Sequence, residues 1–313
     1  MKIGFIFSGQ GSQYVGMGKE LYENFQSFRS ICERANEALD FDITNLMFDG
    51  EKEQLNITEN TQPAILTMSA GILSILKEKG IEAEAVAGLS LGEDSALYAS
   101  SAIDFETCVK LVKKRGHYMQ EAVPLGVGGM AAIIGLSEEK LKECLVEARK
   151  YGVVEISNYN TPKQLVIGGE AKAVEVAIEL CKEAGARRAV PLKVSGPFHT
   201  PLLEEASVNL AKELNNIEFQ DMKIPVLTNV TAEVIADSSQ IKDLLIKQVK
   251  SSVKWTETIR NMIDMGIDTF IEIGPSRTLS GFLRDIDRSV TTFNVEDMKS
   301  LNKTLEGILI KNA

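Results

Sequence analysis

The segment Gly88-Leu89-Ser90-Leu91-Gly92 limits the folds open to this chain more than any other part of it. It has the pattern Gly-x-Ser-x-Gly, in which small residues two places before and after a serine allow a strand to turn sharply into a helix. The apolar run 85–87 precedes the segment, and helix-forming residues 93–98 follow it. The pattern therefore predicts a strand, a tight turn and a helix, with the hydroxyl of Ser90 exposed at the carboxyl end of a sheet. The alternative is an ordinary turn serine between glycines.

Short apolar strands alternate with amphipathic helices along most of the chain, which is typical of an α/β fold with a mainly parallel sheet. A helix is predicted after Thr61, with Pro63 near its start. Strands predicted at 224–229 and 269–273 continue the main sheet. The chain is thus predicted to form one large α/β unit with an elaboration.

Residues 127–194 follow a different order of elements. Strands are predicted at 130–134, 153–156, 164–167 and 189–194, and helices at 138–149 and 171–184. This order, βαββαβ, is that of the ferredoxin-like split unit. We therefore expect a large hydrolase-like catalytic domain formed by residues 1–126 and 195–313, with 127–194 inserted as a small ferredoxin-like subdomain.

The length and charge of the chain exclude several classes of protein. Its 313 residues are 44% hydrophobic and 25% charged, so a sizeable core can be buried. The net charge of −10 argues against a general nucleic-acid binder, which would present a basic face. No apolar run approaches the length of a membrane span, and the first apolar run is too short for a signal-peptide core. We expect a cytoplasmic protein without nucleic-acid or membrane partners.

The cysteines and the basic clusters are the other features that could indicate a metal site or a docking site. Four scattered cysteines lack metal-ligand spacing, which predicts buried free thiols in a reducing compartment and no metal site. Basic residues cluster at 113–115 and at 187–188 with Lys193. Such clusters are either a solvated face or a docking patch for an anionic partner.

A serine nucleophile needs a base, and the chain has only two histidines. His117 follows the basic residues 113–115 late in a predicted helix, where we expect it to be exposed. His199 lies between Pro197 and Pro201, in a stiff loop that would hold its imidazole in one place. A base after the serine also matches the chain order of the α/β-hydrolases. The alternative is a histidine that caps the following helix.

An oxyanion formed at the serine needs two backbone donors. The amide of Leu91, directly after the serine, supplies one by the logic of the turn. The loop Gly9-Gln10-Gly11-Ser12-Gln13 follows the first strand and can supply the amide of Gln10. A dinucleotide site in this loop is disfavoured, because Tyr14 occupies the position of the third glycine and no Walker lysine follows.

Arg115 is the residue of the sequence that indicates most specifically which substrate is bound. The apolar residues of its helix form one stripe, and Arg115 falls on that stripe, four residues after Leu111 and three after Val112. An arginine that faces inward requires an anion. The anion is either an acidic side chain, in a structural ion pair, or the carboxylate of an acyl substrate.

Several motifs together resemble the malonyl-coenzyme A:acyl carrier protein transacylase family, nearly end to end. The opening loop 7–13, the serine turn 88–93 and the arginine segment 115–124 carry the resemblance in the first half of the chain. In the second half it is carried by 158–162, 196–199, Gln248 with Trp255, and 272–275.

The resemblance implies a hydrolase-like domain with a ferredoxin-like insert, and it implies roles for individual residues. Ser90 would be the nucleophile and His199 the base, with Gln248 orienting the imidazole through its backbone carbonyl. The amides of Gln10 and Leu91 would form the oxyanion hole.

The resemblance also implies how the acyl group is bound. Arg115 would bind the malonyl carboxylate, and Asn160 would contribute to the substrate site. A phenylalanine before the histidine goes with malonyl rather than methylmalonyl in related polyketide acyltransferases, and Phe198 fits that pattern. Leu89 stands where many members have histidine, and Asp94 where many have tyrosine. Asp94 is expected to add a negative charge near the mouth of the site.

The function implied is that of an S-malonyltransferase of fatty acid biosynthesis. It would move a malonyl group from coenzyme A to the phosphopantetheine thiol of acyl carrier protein by ping-pong catalysis. The coenzyme A thioester is then a substrate, no cofactor is bound, and the enzyme is a monomer. Three alternatives stay open: a serine hydrolase or thioesterase, a non-catalytic carrier-docking module, and a stand-alone polyketide acyltransferase.

Overall fold

The structure is a computed structural model that describes residues 1–124, 126–194 and 196–312, without the side chain of Asn312. The strands in these residues are β1 (Ile3–Phe7), β2 (Ala85–Gly88), β3 (Gly128–Ile134), β4 (Val154–Thr161), β5 (Gln164–Glu170), β6 (Arg188–Pro191), β7 (Val226–Leu227), β8 (Thr269–Ile273) and β9 (Thr291–Val295). The helices are α1 (Lys19–Asn24), α2 (Gln26–Ala38), α3 (Ile43–Asp49), α4 (Lys52–Leu55), α5 (Thr58–Glu78), α6 (Leu91–Ala99), α7 (Phe105–Glu121), α8 (Glu138–Ala148), α9 (Ala171–Glu183), α10 (Glu204–Leu214), α11 (Ile241–Lys250), α12 (Trp255–Asp264), α13 (Thr278–Ile286) and α14 (Met298–Asn312).

A parallel sheet in the order β7-β2-β1-β8-β9 forms the centre of the larger unit. Every residue of β1 and β8 is buried, as expected for strands covered by helices on both faces. Phe7, the last residue of β1, is in register with Gly88 of β2 and Ile273 of β8. The loops that follow these three strands therefore meet at one edge of the sheet, where open α/β folds bind ligands.

An antiparallel sheet in the order β4-β5-β3-β6 forms the second unit. Helices α8 and α9 cover it, and its core is separate from that of the parallel sheet. β4 approaches the larger unit, where the amide of Tyr159 donates to the carbonyl of Val253 at 2.9 Å. The βαββαβ order and the α/β fold class predicted from the sequence are confirmed.

The boundaries of the two predicted domains stay a prediction. The antiparallel sheet begins at Gly128 and ends at Pro191, within the predicted range 127–194. Ser195, the first residue of the second predicted segment, lies outside the described residues.

Two elements differ from the sequence-based expectation. Helix α5 begins at Thr58 and not after Thr61, so Pro63 lies inside the helix. The helix tolerates the lost backbone hydrogen bond because most of its residues are packed in the core. β7 is shorter than predicted at both ends, and at its carboxyl end Thr228 and Asn229 leave the strand and donate to the carboxylate of Glu93.

The four cysteines are buried and free, as predicted. None of the helices in the described residues combines the length and apolar character needed to cross a membrane.

The turn between β2 and α6 depends on the close approach of backbone segments. A Cβ on Gly88 would lie 1.9 Å from the backbone carbonyl atoms of Gly92. A Cβ on Gly92 would lie 2.2 Å from the carbonyl oxygen of Phe7. The two glycines of the Gly-x-Ser-x-Gly pattern thus allow the helix to start directly against the strands.

Replacing Gly88 with alanine is expected to destabilise the chain, because the clash is with backbone and no side-chain movement relieves it. We expect the free energy of unfolding to fall by about 3 kcal/mol or more in chemical denaturation. Gly129→Ala is the matched control, since a Cβ there meets no atom within 4 Å apart from its chain neighbours. Equal losses in the two variants would contradict this explanation.

Candidate active site

Ser90 is the second of the two residues between β2 and α6, and its backbone conformation is one that residues with side chains rarely adopt. Its φ is 55° and its ψ is −109°. Such strain persists only where neighbouring groups hold it in place. Asn229 does so from the end of β7: its Oδ1 accepts from the amide of Ser90 at 2.7 Å, and its Nδ2 donates to the carbonyl of Gly88 at 2.7 Å.

The imidazole of His199 lies between Ser90 and Gln248. Nε2 is 2.8 Å from Oγ of Ser90, and Nδ1 is 2.8 Å from the backbone carbonyl of Gln248. A carbonyl only accepts hydrogen bonds, so the neutral ring carries its proton on Nδ1. Nε2 is then the acceptor that faces the serine hydroxyl, which is the geometry of a nucleophile and its base.

Burial keeps the imidazole neutral. His199 is 4% exposed. Removal from water and, secondarily, the nearby charge of Arg115 lower the pKa of His199 to about 4. Hydrogen bonds to the backbone of Gln248 and Ser251 oppose this shift. The base is therefore unprotonated at neutral pH.

The guanidinium of Arg115 is buried directly beside this pair. Its Nη2 donates to Oγ of Ser90 at 3.1 Å and to Oε1 of Gln248 at 2.7 Å, and its Nη1 donates to Oε1 of Gln62 at 2.8 Å. Its Nε lies 3.7 Å from Oδ2 of Asp94. The inward orientation predicted from the helix stripe thus occurs, and an ion-pair partner and the nucleophile are both within reach.

The side chain of Gln248, as well as its backbone carbonyl, makes hydrogen bonds within the site. Its Nε2 donates to the carbonyl of Ser90 at 3.0 Å and to Oε2 of Glu93 at 2.9 Å. Glu93 also accepts from Thr228 and from the amide of Asn229. Burial raises the pKa of Glu93 to about 7, although these hydrogen bonds lower it. One buried network therefore joins the serine turn to the two residues that follow β7 and to α11.

Sequence reasoning did not identify Gln62, Thr228 or Asn229. Each acts from an element far along the chain from Ser90, and no local motif distinguishes it. The position of Asn229 at the carboxyl end of a predicted strand of the main sheet was the available signal.

The loop after β1 packs against the serine turn. A Cβ on Gly9 would lie 2.4 Å from the carbonyl oxygen of Leu89. The side chain of Gln10 donates to Oγ1 of Thr58 at 3.1 Å, and Oγ of Ser12 donates to the carbonyl of Gly9 at 2.7 Å. Leu91 is the first residue of α6, so its amide belongs to the helix N-terminus. The predicted oxyanion donors, the amides of Gln10 and Leu91, thus lie in adjoining segments.

A cavity of about 830 Å³ opens onto the serine and the histidine. Gln10, Asn160 and Phe198 also line it, while Arg115 and Gln248 are buried and do not belong to its described lining. Oδ1 of Asn160 is buried and has no hydrogen-bond partner within the described part of the chain. The predicted substrate residues Asn160 and Phe198 therefore face the same space as Ser90 and His199.

Two other predicted features lie elsewhere. His117 is exposed, as expected, and pairs with Glu59 at 3.1 Å, away from Ser90. Asp94 is 2% exposed and lies beneath Arg115, so the expectation of a negative charge near the mouth of the site was wrong. The reason is that α6 is buried on almost all of its surface, so a polar position on it is not an exposed one.

Across the described residues, no three His, Cys, Asp or Glu side chains group together as metal ligands would.

The chain is similar to known proteins over nearly its whole length. The model of the acyl transferase domain family matches residues 4–312. The malonyl CoA-acyl carrier protein transacylase of Bacillus subtilis is 44% identical over 312 residues, which cover 99% of this chain and 98% of that protein. This chain belongs to the malonyl CoA-acyl carrier protein transacylase family.

Solved structures of the family share the fold over its whole length. The malonyl CoA-acyl carrier protein transacylase from Clostridium perfringens has a TM-score of 0.97 and 47% identity, covering 100% of this chain and 98% of its own. A type II PKS acyl-carrier protein in complex with its malonyl-transacylase includes a chain with a TM-score of 0.96 and 39% identity, at 98% and 100% coverage. The family resemblance predicted from the sequence motifs is confirmed.

The lowered pKa of His199 predicts the acid limit of serine reactivity. Attack by Ser90 needs the neutral imidazole, so the rate of labelling by a fluorophosphonate should fall only as the pH drops through about 4. Labelling for a fixed time at a series of pH values between about 3 and 8 measures this rate, with circular dichroism at each pH to verify that the chain is folded. A midpoint near the ordinary histidine value of about 6.5 would contradict the effect of burial.

Proposed function

We propose that this chain transfers the malonyl group of malonyl-coenzyme A to the phosphopantetheine thiol of an acyl carrier protein, in fatty acid biosynthesis, through an ester on Ser90. One observation carries the proposal. The Oγ of Ser90 is 2.8 Å from the imidazole of His199 and 3.1 Å from the buried guanidinium of Arg115. A nucleophile and its base explain acyl transfer, and the guanidinium explains an acyl group that bears a carboxylate.

The first half of the reaction forms the acyl-enzyme. His199 Nε2 takes the proton of Ser90 as Oγ attacks the thioester carbonyl, and Arg115 holds the free carboxylate of the malonyl group. The amides of Gln10 and Leu91 stabilise the oxyanion. The tetrahedral intermediate collapses with loss of coenzyme A, whose sulfur receives the proton from His199.

The second half reverses these steps with another thiol. His199 removes the proton from the phosphopantetheine thiol, and the sulfur attacks the malonyl ester. Ser90 leaves and recovers a proton from His199. The carbonyl of Gln248 keeps the imidazole in the one tautomer that both halves need.

Phe198 and Asn160 line the cavity and are proposed to contact the acyl group, with Phe198 favouring malonyl. The chemistry of the side chains suffices without a bound cofactor. A monomer acting in the cytoplasm stays a prediction.

Intact-protein mass after brief exposure to malonyl-coenzyme A tests the reaction. We expect a malonyl adduct on the wild type, its transfer intact to a phosphopantetheinylated carrier, and no adduct on Ser90→Ala. An adduct lost to water while the carrier stays unloaded would indicate a hydrolase instead. Absence of any adduct on the folded wild type would contradict catalysis by Ser90.

Neutralising Arg115 tests the role of the guanidinium. In Arg115→Gln we expect kcat/KM for malonyl-coenzyme A to fall by about 100-fold, since a charge-assisted bond to the acyl carboxylate is lost. Acetyl-coenzyme A lacks that carboxylate, so its kcat/KM should fall much less. Lys110→Gln, which removes an exposed charge from the same helix, is the control. Equal losses for both substrates would make Arg115 a structural residue.

A further inference from the structure

Asp94 and Arg115 form a buried pair whose facing atoms have no other partner. Oδ2 of Asp94 lies 3.7 Å from Nε of Arg115, and the two side chains are 2% and 1% exposed. Neither atom makes a hydrogen bond to any residue that the structure describes. The distance is too long for a hydrogen bond, so the two groups interact through their charges.

The remaining contacts of Arg115 determine how its side chain is oriented. Gln62, Ser90 and Gln248 accept from Nη1 and Nη2, and all three are uncharged groups. Because these bonds hold the guanidinium in place, Asp94 is not needed to orient it. Asp94 instead places a negative charge next to the guanidinium.

The carboxylate of Glu93, the other acidic group near Arg115, already accepts hydrogen bonds from other residues. Glu93 accepts from Thr228, Asn229 and Gln248, and it forms no ion pair with Arg115 among the described residues. Burial raises the pKa of Asp94 to about 6, while the charge of Arg115 holds it down. The buried contact with Arg115 favours the ionised carboxylate at neutral pH, so Asp94 is the anion that a buried guanidinium requires.

We propose that Asp94 is the counter-ion of Arg115 in the free enzyme and sets how strongly the site prefers acyl groups that carry a carboxylate. The inference rests on the proposed function, because it assigns Arg115 to the carboxylate of the substrate. When that carboxylate binds, two anions share one cation. The charge of Asp94 then offsets part of the attraction between Arg115 and the acyl group, which limits how tightly the malonyl group is held before it passes to the second thiol.

Asp94→Asn keeps the shape of the side chain and removes its charge. We expect KM for malonyl-coenzyme A to fall, and the ratio of kcat/KM for malonyl-coenzyme A to that for acetyl-coenzyme A to rise by about fivefold or more. The free variant should unfold at a lower temperature, because its buried guanidinium has lost its counter-ion. Malonyl-coenzyme A should raise that temperature by more than it does in the wild type.

Ser95→Ala is the matched control, because Ser95 is the next residue of the same buried helix and its Oγ makes no hydrogen bond. It should leave the malonyl-to-acetyl ratio unchanged. If Asp94→Asn does not fold, Asp94→Ser, which leaves room for water, serves in its place. A ratio that is unchanged or lowered in the folded variant would overturn the proposal.

Measurements on the wild type distinguish a failure of the role proposed for Asp94 from a failure of the proposed function. A wild type that forms malonyl-Ser90 and prefers malonyl over acetyl, beside a variant with the same ratio, rejects the role of Asp94 alone. A wild type without a malonyl adduct, or without a preference for malonyl, rejects the proposed function and the inference with it.

Discussion

The buried guanidinium of Arg115 is the interaction on which the arrangement of the site depends. A charge removed from water needs partners on every side, and a misplaced partner leaves that charge unpaired. Here the partners come from separate elements: Gln62 from α5, Asp94 from α6 and Gln248 from α11. These helices must pack correctly before Arg115 can be buried. The group proposed to recognise the acyl carboxylate is thus also a condition for folding the site.

The strained conformation of Ser90 is stabilised by the same network. Its amide bonds to Asn229 and its carbonyl to Gln248, and both of these residues are tied to the carboxylate of Glu93. A positive φ at a residue other than glycine costs on the order of 1–3 kcal/mol, so the surroundings must impose it. Each hydrogen bond here is buried and is stronger than it would be in water. The hydroxyl is thereby held toward His199 without any contribution from the substrate.

Local patterns predicted the parts of the site that depend on local structure. Ser90 followed from its flanking glycines, His199 from its proline-bounded loop, and the inward face of Arg115 from its helix stripe. Gln248 was proposed only from family resemblance, because a glutamine in an amphipathic helix has no distinctive pattern. Asn229 and Gln62 act through contacts across long chain separations, which spacing alone does not reveal. Asp94 was expected near the mouth of the site, whereas α6 is buried on nearly every side and Asp94 lies beside Arg115.

The uncharged partner of His199 is explained by the same charge balance. A carboxylate at Nδ1 would fix the tautomer, but it would bring a further anion to a site that already holds Glu93 and Asp94. That anion would compete with the acyl carboxylate for Arg115 and would raise the pKa of the imidazole. The carbonyl of Gln248 fixes the tautomer without net charge. His199 therefore stays neutral beside a cation, and the positive charge of Arg115 stays available to an anionic acyl group.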